Sequence, residues 1–365
     1  MKAIYNFSAG PSVLPQEALR AAAEAATNFN QTGMSLMTMS HRSKPVMDMF
    51  AETEELIREL LAVPSNFKVL FLGGGASMQF CMAPMNLLPQ NAVADYTDTG
   101  AWGSKALQEA KMFGQVNVAC SSKTDNYSYI PKDLQQSKDS VYLHLTSNNT
   151  IFGTQWKELP TPINPEAYQV IDASSDIFSY ELDWSRIGMV YAGAQKNAGP
   201  AGVTLVIIRE DIVGKSGREI PTILDYATHI KGASMFNTPP VFSVYVMNET
   251  LKWLKSLGGI KAMQAINERK AAKLYAEIDA NPLFKGTAAK EDRSLMNVPF
   301  ILNPEKVSAE QKESAEKSFL AFCKDRGLET LAGHRVVGGF RASIYNAMPE
   351  AGIDALVQAM KDFKI

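Results

Sequence analysis

Along the middle of the chain the apolar positions fall into short unbroken runs rather than alternating with polar ones. Such runs occupy 67–72, 92–97, 115–119, 141–145, 168–172, 188–191 and 203–208. A strand that reads as continuously apolar is covered on both faces, which predicts a parallel sheet beneath helices. Segments 76–88 and 101–113 lie between these strands and read as helices, so the expectation is an α/β unit with a mainly parallel sheet. Ahead of the strands, Pro15 opens an alanine-rich helix that runs to about Thr27, and Ser43 caps a second that Pro45 starts. The second helix carries the apolar stripe Val46, Met49, Phe50, Thr53, Leu56, Ile57 and Leu60, the spacing of a face turned to a core. After Pro239-Pro240 come helical patterns at 243–256 and 260–280, separated by Gly258-Gly259. The tail reads strand, helix, strand, helix at 294–302, 309–327, 336–345 and 353–363, a smaller α+β unit. Asn6 to Ser12 is rich in turn formers and reads as an irregular arm.

Composition narrows the class without naming a function. With 365 residues the chain exceeds the size at which a single core stops growing, so two domains are expected. The 36 basic and 38 acidic residues nearly cancel, which argues against a nucleic-acid or membrane partner acting through bulk charge. Any anion must then be recognised locally. Cys81, Cys120 and Cys323 lie far apart and form no metal-ligand spacing, so no metal is expected and the free thiols suit a reducing compartment. The first residues lack the apolar core of a signal peptide and no run approaches a membrane span, so the cytoplasm is the expected location.

The candidate chemistry begins at Lys196, alone in Tyr191-Ala-Gly-Ala-Gln-Lys196-Asn-Ala-Gly-Pro-Ala-Gly202 between two apolar runs. A lysine in a crowded collar of small residues loses hydration, which disfavours its protonated form and makes the amine a candidate for Schiff-base chemistry. A loop lysine reaching out to solvent is the other reading. Gly73-Gly-Gly-Ala-Ser77 follows a strand and opens a helix, where free N–H groups and the helix dipole favour a phosphate, though a plain tight turn has the same glycines. Asp172 ends an apolar strand, at the edge where ligands of α/β sheets lie, and a buried carboxylate there needs a cationic partner such as a pyridinium nitrogen or a structural salt bridge. Trp102, flanked by glycines after another strand, could stack on a flat heterocycle or fill the core. Two of the four histidines form His41-Arg42 and His334-Arg335, pairs that suit a substrate with two anionic ends or a solvated surface, while His144 and His229 read as structural. Taken together, a phosphate cradle, an indole, a ring-nitrogen carboxylate and an aldehyde-binding lysine specify pyridoxal 5′-phosphate.

These residues sit in longer motifs. Asn6-Phe-Ser-Ala-Gly-Pro11, Met39-Ser-His-Arg-Ser43, Gly100-Ala-Trp-Gly103, Asn148-Asn-Thr-Ile-Phe-Gly153, Asp172-Ala-Ser-Ser-Asp176, Ala192-Gly-Ala-Gln-Lys-Asn197, Met235-Phe-Asn-Thr-Pro-Pro240 and Gly333-His-Arg-Val-Val-Gly-Gly-Phe-Arg341 run nearly end to end. With them the chain resembles the phosphoserine aminotransferase family, class-V enzymes of the fold-type I pyridoxal-phosphate group. The resemblance implies a large domain, 15–257, holding a seven-stranded-type sheet, and a small one made of 1–14 and 258–365. It implies transfer of the amino group of L-glutamate to 3-phosphohydroxypyruvate for serine synthesis, with the related phosphorylated four-carbon keto acid of pyridoxine synthesis as a second candidate substrate. In that reading Lys196 carries the cofactor's aldehyde, Asp172 meets the pyridinium, Trp102 stacks on the ring and Thr150 lies by its polar edge. Ala76, Ser77 and Gln195 hold the cofactor phosphate, joined by Asn237 and Thr238 from the second subunit of a homodimer. Ser8, His41, Arg42, His334 and Arg335 hold the substrate's carboxylate and phosphate. Ser77 departs from members that carry arginine at this position. The rival readings are another class-V enzyme, such as a cysteine desulfurase or a small-substrate transaminase, and a non-catalytic phosphate-binding protein. A desulfurase would need a mobile thiol of low pKa.

Overall fold

The computed structural model describes residues 3–365. The arm supplies β1 (Tyr5–Asn6), followed by helices α1 (Gln16–Asn28) and α2 (Lys44–Leu61). Strands and helices then alternate: β2 (Phe67–Leu72), α3 (Gly75–Leu87), β3 (Val93–Asp98), α4 (Ala101–Ala110) and β4 (Gln115–Ser121). Next come β5 (Ser140–Thr146), β6 (Tyr168–Asp172), β7 (Ile187–Gly193) and β8 (Thr204–Arg209). Helices α5 (Tyr226–Lys231), α6 (Val241–Ser256) and α7 (Gly259–Ala280) lead into the tail. The tail consists of β9 (Phe284–Gly286), β10 (Asn297–Leu302), α8 (Ala309–Lys324), β11 (Leu328–Glu329), β12 (Phe340–Ser343) and α9 (Glu350–Asp362).

Strands β2 to β8 form a seven-stranded sheet in the order β2-β8-β7-β6-β5-β3-β4. All its pairings are parallel except those of β8, which runs antiparallel to both neighbours. Side chains of successive strand residues point to opposite faces, and here both faces are apolar. Ile171, Leu205 and Ile207 join Phe50, Phe71 and Met247 in a core under α2 and α6. Their neighbours Val170, Val206 and Ile208 join Phe80, Leu87 and Leu107 in a core under α3 and α4. This is why these strands lack polar alternation. The parallel register sets Thr146, Asp172 and Tyr191 side by side at the ends of β5, β6 and β7, so the loops that follow converge at one sheet edge.

His144 is structural, as expected. Its Nε2 bonds Tyr191 Oη at 2.8 Å and its ring stacks on Tyr96 at 4.6 Å, while burial pushes it down to about 3 and keeps it neutral. His229 bonds the Ile223 carbonyl at 2.8 Å.

A separate core forms around Phe284, Phe300, Phe319 and Phe340, with Phe7 of the arm among them and β1 paired in parallel with β11. The arm is therefore not wholly irregular: two of its residues complete a strand pair with the tail. Helix α7 is shared, since Ile260 and Met263 pack in the first core and Ala271, Leu274 and Ile278 in this one. On that packing we propose the division 15–257 against 1–14 and 258–365. One tail strand differs from expectation: 336–345 was expected to be extended throughout, but only Phe340–Ser343 is. Gly338 and Gly339 take positive φ, +74° and +57°, and Gly333 N–H bonds Gly339 O at 2.8 Å, which closes 334–338 into a turn that no β-branched residue there could prevent.

Polar bonds tie the two units together behind the converging loops. Asn148 Nδ2 donates to Asn297 Oδ1 at 2.8 Å, Asn346 N–H donates to Asn197 Oδ1 at 2.9 Å, and Asn346 Nδ2 donates to Phe178 O at 2.9 Å. Gly153 lies on the same seam at φ +74°, where an added Cβ would stand 2.2 Å from Pro299 Cδ. Backbone strain and overlap act together at this position, so Gly153→Ala is expected to cost about 2–4 kcal/mol. The midpoint of urea unfolding measures it, and an unchanged midpoint would contradict the packing of this seam.

Candidate active site

Lys196 lies in the turn that follows β7. Its Nζ donates to Thr150 Oγ1 at 2.7 Å and stands 5.8 Å from the centre of the Trp102 ring. The arm closes over it: Ser12 Oγ donates to Lys196 O, Ser12 N–H donates to Gln195 O at 2.9 Å, and a Cβ on Gly10 would meet Lys196 Cγ at 3.5 Å. Burial pushes the amine down to about 8; the charge of Arg341 adds to this and Asp172 opposes it. The solvent-reaching alternative is thereby excluded.

Asp172 is buried at the end of β6. Its Oδ1 accepts from Ser174 N–H at 3.0 Å and Ser174 Oγ at 2.6 Å, and no protein donor meets Oδ2 among the described residues. Burial raises its pKa, while the charge of Lys196 and the two Ser174 bonds hold it back. Trp102 opens α4 after Gly100 and packs with Val337 on Tyr127 and Phe152, and its buried Nε1 finds no partner.

Helix α3 opens at Gly75 after Gly74, both at positive φ (+66° and +84°), and no side chain caps it. Its first N–H groups therefore remain available to an anion. Ala76 is half-buried there and Ser77 exposed. Gln195 lies against Gly193 and Gly10, on the Lys196 side. Asn237 and Thr238 are exposed in the loop before α6 and line a cavity of about 340 Å³ with Gly73, Gly74 and Met78.

The histidine–arginine pairs fare differently. His334 is half-buried, with Nδ1 accepting from Val336 N–H at 3.3 Å, which leaves Nε2 as the donor. Its pKa is lowered by burial first and then by Arg341, Arg335 and Lys105. Arg335 is exposed beside it, and Ser8 lies in the arm, its Oγ accepting from Gly10 N–H at 3.4 Å. Arg42 is exposed and His41 half-buried with an unpartnered Nε2, and among the described residues no bond joins either to the Lys196 group.

One candidate residue was missed. Arg341 Nη1 approaches Thr150 O at 3.4 Å, its Nε is buried without a partner, and it meets no carboxylate among the described residues. An unpaired, half-buried guanidinium beside an amine is held for an incoming anion. The available signal was a lone arginine inside the apolar strand Phe340–Ser343.

An amine of lowered proton affinity, a buried carboxylate with one oxygen unspent, an indole beside the amine and a helix start open to an anion together fit pyridoxal phosphate. They do not fit a desulfurase, since burial pushes the Cys120 and Cys323 thiols up to about 12 and also raises Cys81. Over residues 4–356 the chain matches the family described as aminotransferase class-V. It is 52% identical to the phosphoserine aminotransferase of Azobacteroides pseudotrichonymphae genomovar. CFP2, over 99% of this chain and 97% of that one. Among solved structures it is similar to the phosphoserine aminotransferase from Bacillus circulans subsp. alkalophilus, at TM-score 0.93 and 44% identity, covering 98% of both chains. It is also similar to the PLP-bound phosphoserine aminotransferase from Trichomonas vaginalis, at TM-score 0.92 and 40% identity over 99% of this chain and 100% of that one. A lysine amine whose proton affinity burial lowers is thus found in a chain that belongs to the phosphoserine aminotransferases of the class-V aminotransferase family.

Proposed function

We infer that the protein is a pyridoxal-phosphate-dependent phosphoserine aminotransferase, moving the amino group of L-glutamate to 3-phosphohydroxypyruvate to give O-phospho-L-serine and 2-oxoglutarate. The observation that carries this reading is the Lys196 amine, pushed down to about 8 and aimed by Thr150 beside Trp102 with Asp172 at hand. When bound, the cofactor supplies an aldehyde for that amine and a protonated ring that takes up electron density from the substrate carbon.

The chain's own residues do the rest. Lys196 Nζ removes the proton from the substrate Cα and returns it on the other side of the transfer, and an amine whose pKa lies near neutrality suits both directions. Asp172 would accept the ring N–H with its free oxygen, and Ser174 fixes that carboxylate in place. Trp102 would cover one face of the ring and exclude water. Ala76, Ser77 and Gln195 would hold the cofactor phosphate, with Asn237 and Thr238 of a second copy. Arg341 takes the substrate's α-carboxylate, and Ser8, His334 and Arg335, with His41 and Arg42 supplied by a second copy, take the distal phosphate or γ-carboxylate.

A homodimer suits this arrangement. Met34, Met37, Ile223 and Phe236 are exposed apolar side chains on the loops beside His41 and Asn237, a surface that a second copy would cover. Among the described residues no helix is long and apolar enough to cross a membrane. With free cysteines, this supports the cytoplasm as the place of work.

Lys196→Ala is expected to lose both turnover and the visible absorbance of the lysine-bound cofactor, and a variant that kept both would refute the assignment. Arg341→Leu should lower kcat/KM for glutamate by about a hundredfold, the effect of leaving a buried carboxylate without its charged partner. Steady-state assays check it. With the Lys196 amine near 8, the neutral fraction rises from roughly a tenth at pH 7 to nine-tenths at pH 9. The rate at which the apoprotein captures pyridoxal phosphate should therefore level off by about pH 9, whereas an ordinary lysine would keep accelerating through pH 10. Stopped-flow absorbance separates the two profiles.

A further inference from the structure

The positive side of the site extends beyond the two histidine–arginine pairs. Lys105 lies one turn after Trp102 on α4, and its Nζ stands 4.4 Å from the centre of the indole. The lysine meets no carboxylate among the described residues. Two acids, Asp98 and Glu109, line a cavity with it, and neither pairs with it among the described residues. Asp98 is occupied by hydroxyls, from Ser104 Oγ, from Ser121 Oγ at 3.0 Å and from Tyr127 Oη at 3.1 Å. Glu109, four residues along the helix, makes no ion pair with it.

Packing brings this ammonium to the His334 turn. Val337 from that turn shares Tyr127 and Phe152 with Ala101 and Trp102, so the turn lies against the start of α4. The charge of Lys105 is felt at His334 together with those of Arg341 and Arg335. Lys105 also lines, with Ser77, a cavity of about 620 Å³ in which Ser77 offers a hydroxyl and no charge. A flexible ammonium resting on an aromatic face, without an ion-pair partner among the described residues and felt at His334 together with two guanidinium groups, is placed to meet an anion arriving from solvent.

We propose that Lys105 is a substrate-binding residue that favours the phosphorylated substrate over glutamate, its ammonium moving from the indole of Trp102 to the distal phosphate. This rests on the aminotransferase reading above. The physical reason for the preference is that a dianion gains more from an added cation than a monoanionic carboxylate does at the same distance.

The test uses holoenzyme with Lys105→Met, which keeps a stem over Trp102 without the charge, and Lys105→Arg, which keeps the charge. Half-reactions with O-phospho-L-serine and with L-glutamate are followed by cofactor absorbance. Lys105→Met should lower kcat/KM for O-phospho-L-serine about tenfold and for glutamate less than about threefold, with Lys105→Arg restoring the ratio. The decline of kcat/KM for O-phospho-L-serine with added salt should also become shallower in Lys105→Met, which a purely structural role would not produce. An unchanged ratio between the two substrates overturns the proposal. So does a loss of pyridoxal phosphate affinity at constant ratio, which would place the lysine at the cofactor phosphate instead. If the unaltered enzyme turns over neither substrate, the aminotransferase reading itself fails, an outcome separate from both.

Discussion

An amine and a carboxylate, both withdrawn from water, set the terms for the rest of this molecule. Removing a charge from water costs several kcal/mol even after the protein relaxes, and Lys196 and Asp172 respond in opposite directions, the amine downward and the carboxylate upward. Each is also what limits the other's shift. The pair is poised rather than neutralised, and a ring with an aldehyde and a basic nitrogen can use both groups at once. Supporting groups hold that balance without discharging it: Thr150 aims the amine, Ser174 fixes the carboxylate, and Arg341 adds positive charge near the amine.

The sheet makes such a site possible. Three adjacent parallel strands end in register, so that Thr146, Asp172 and Tyr191 are neighbours and the chain after each strand leaves at the same edge. The second unit then closes over that edge. Asparagines bind it to the loops carrying Asn148 and Asn197, and Tyr345 Oη donates to Ala9 O at 2.8 Å, joining the tail to the arm. Lys270 holds this segment from behind, its buried Nζ donating to the carbonyls of Ile344, Tyr345 and Met348 at 3.0, 2.7 and 3.1 Å. That ammonium has carbonyls in place of a carboxylate partner, and burial pushes it down to about 7. The turn bearing Asn346 is thus fixed by backbone acceptors, which ties the position of the small unit to the rigid α7.

Much of the site was legible because it obeys local rules. A lone lysine among small residues, an acid at the end of an apolar strand, and glycines before a helix are statements about neighbours in sequence. Arg341 was not legible in that way. Its meaning comes from facing Thr150 across nearly two hundred residues, and on β12 it looks like any arginine on a strand edge. Lys105 was passed over for a related reason: a lysine on a helix is ordinarily solvated, and only the packing of Val337 with Trp102 reveals its company. Within the turn at 334–338, residues 336–338 were read as strand because valines favour extended backbone, while Gly338 and Gly339 at positive φ decide the matter.

Taken alone, the order of residues determined the alternation of strands and helices, the burial of both sheet faces, and the identity of the amine, the carboxylate and the indole. Those follow from periodicity and from the cost of placing particular groups in particular local surroundings. Only the tertiary structure decided which groups meet at the amine, how far its proton affinity falls, and which cations remain unpaired. Desolvation and charge–charge interaction depend on distance through space, and that distance is set by sheet register and by the seam between the two units, neither of which is a property of any single stretch of chain.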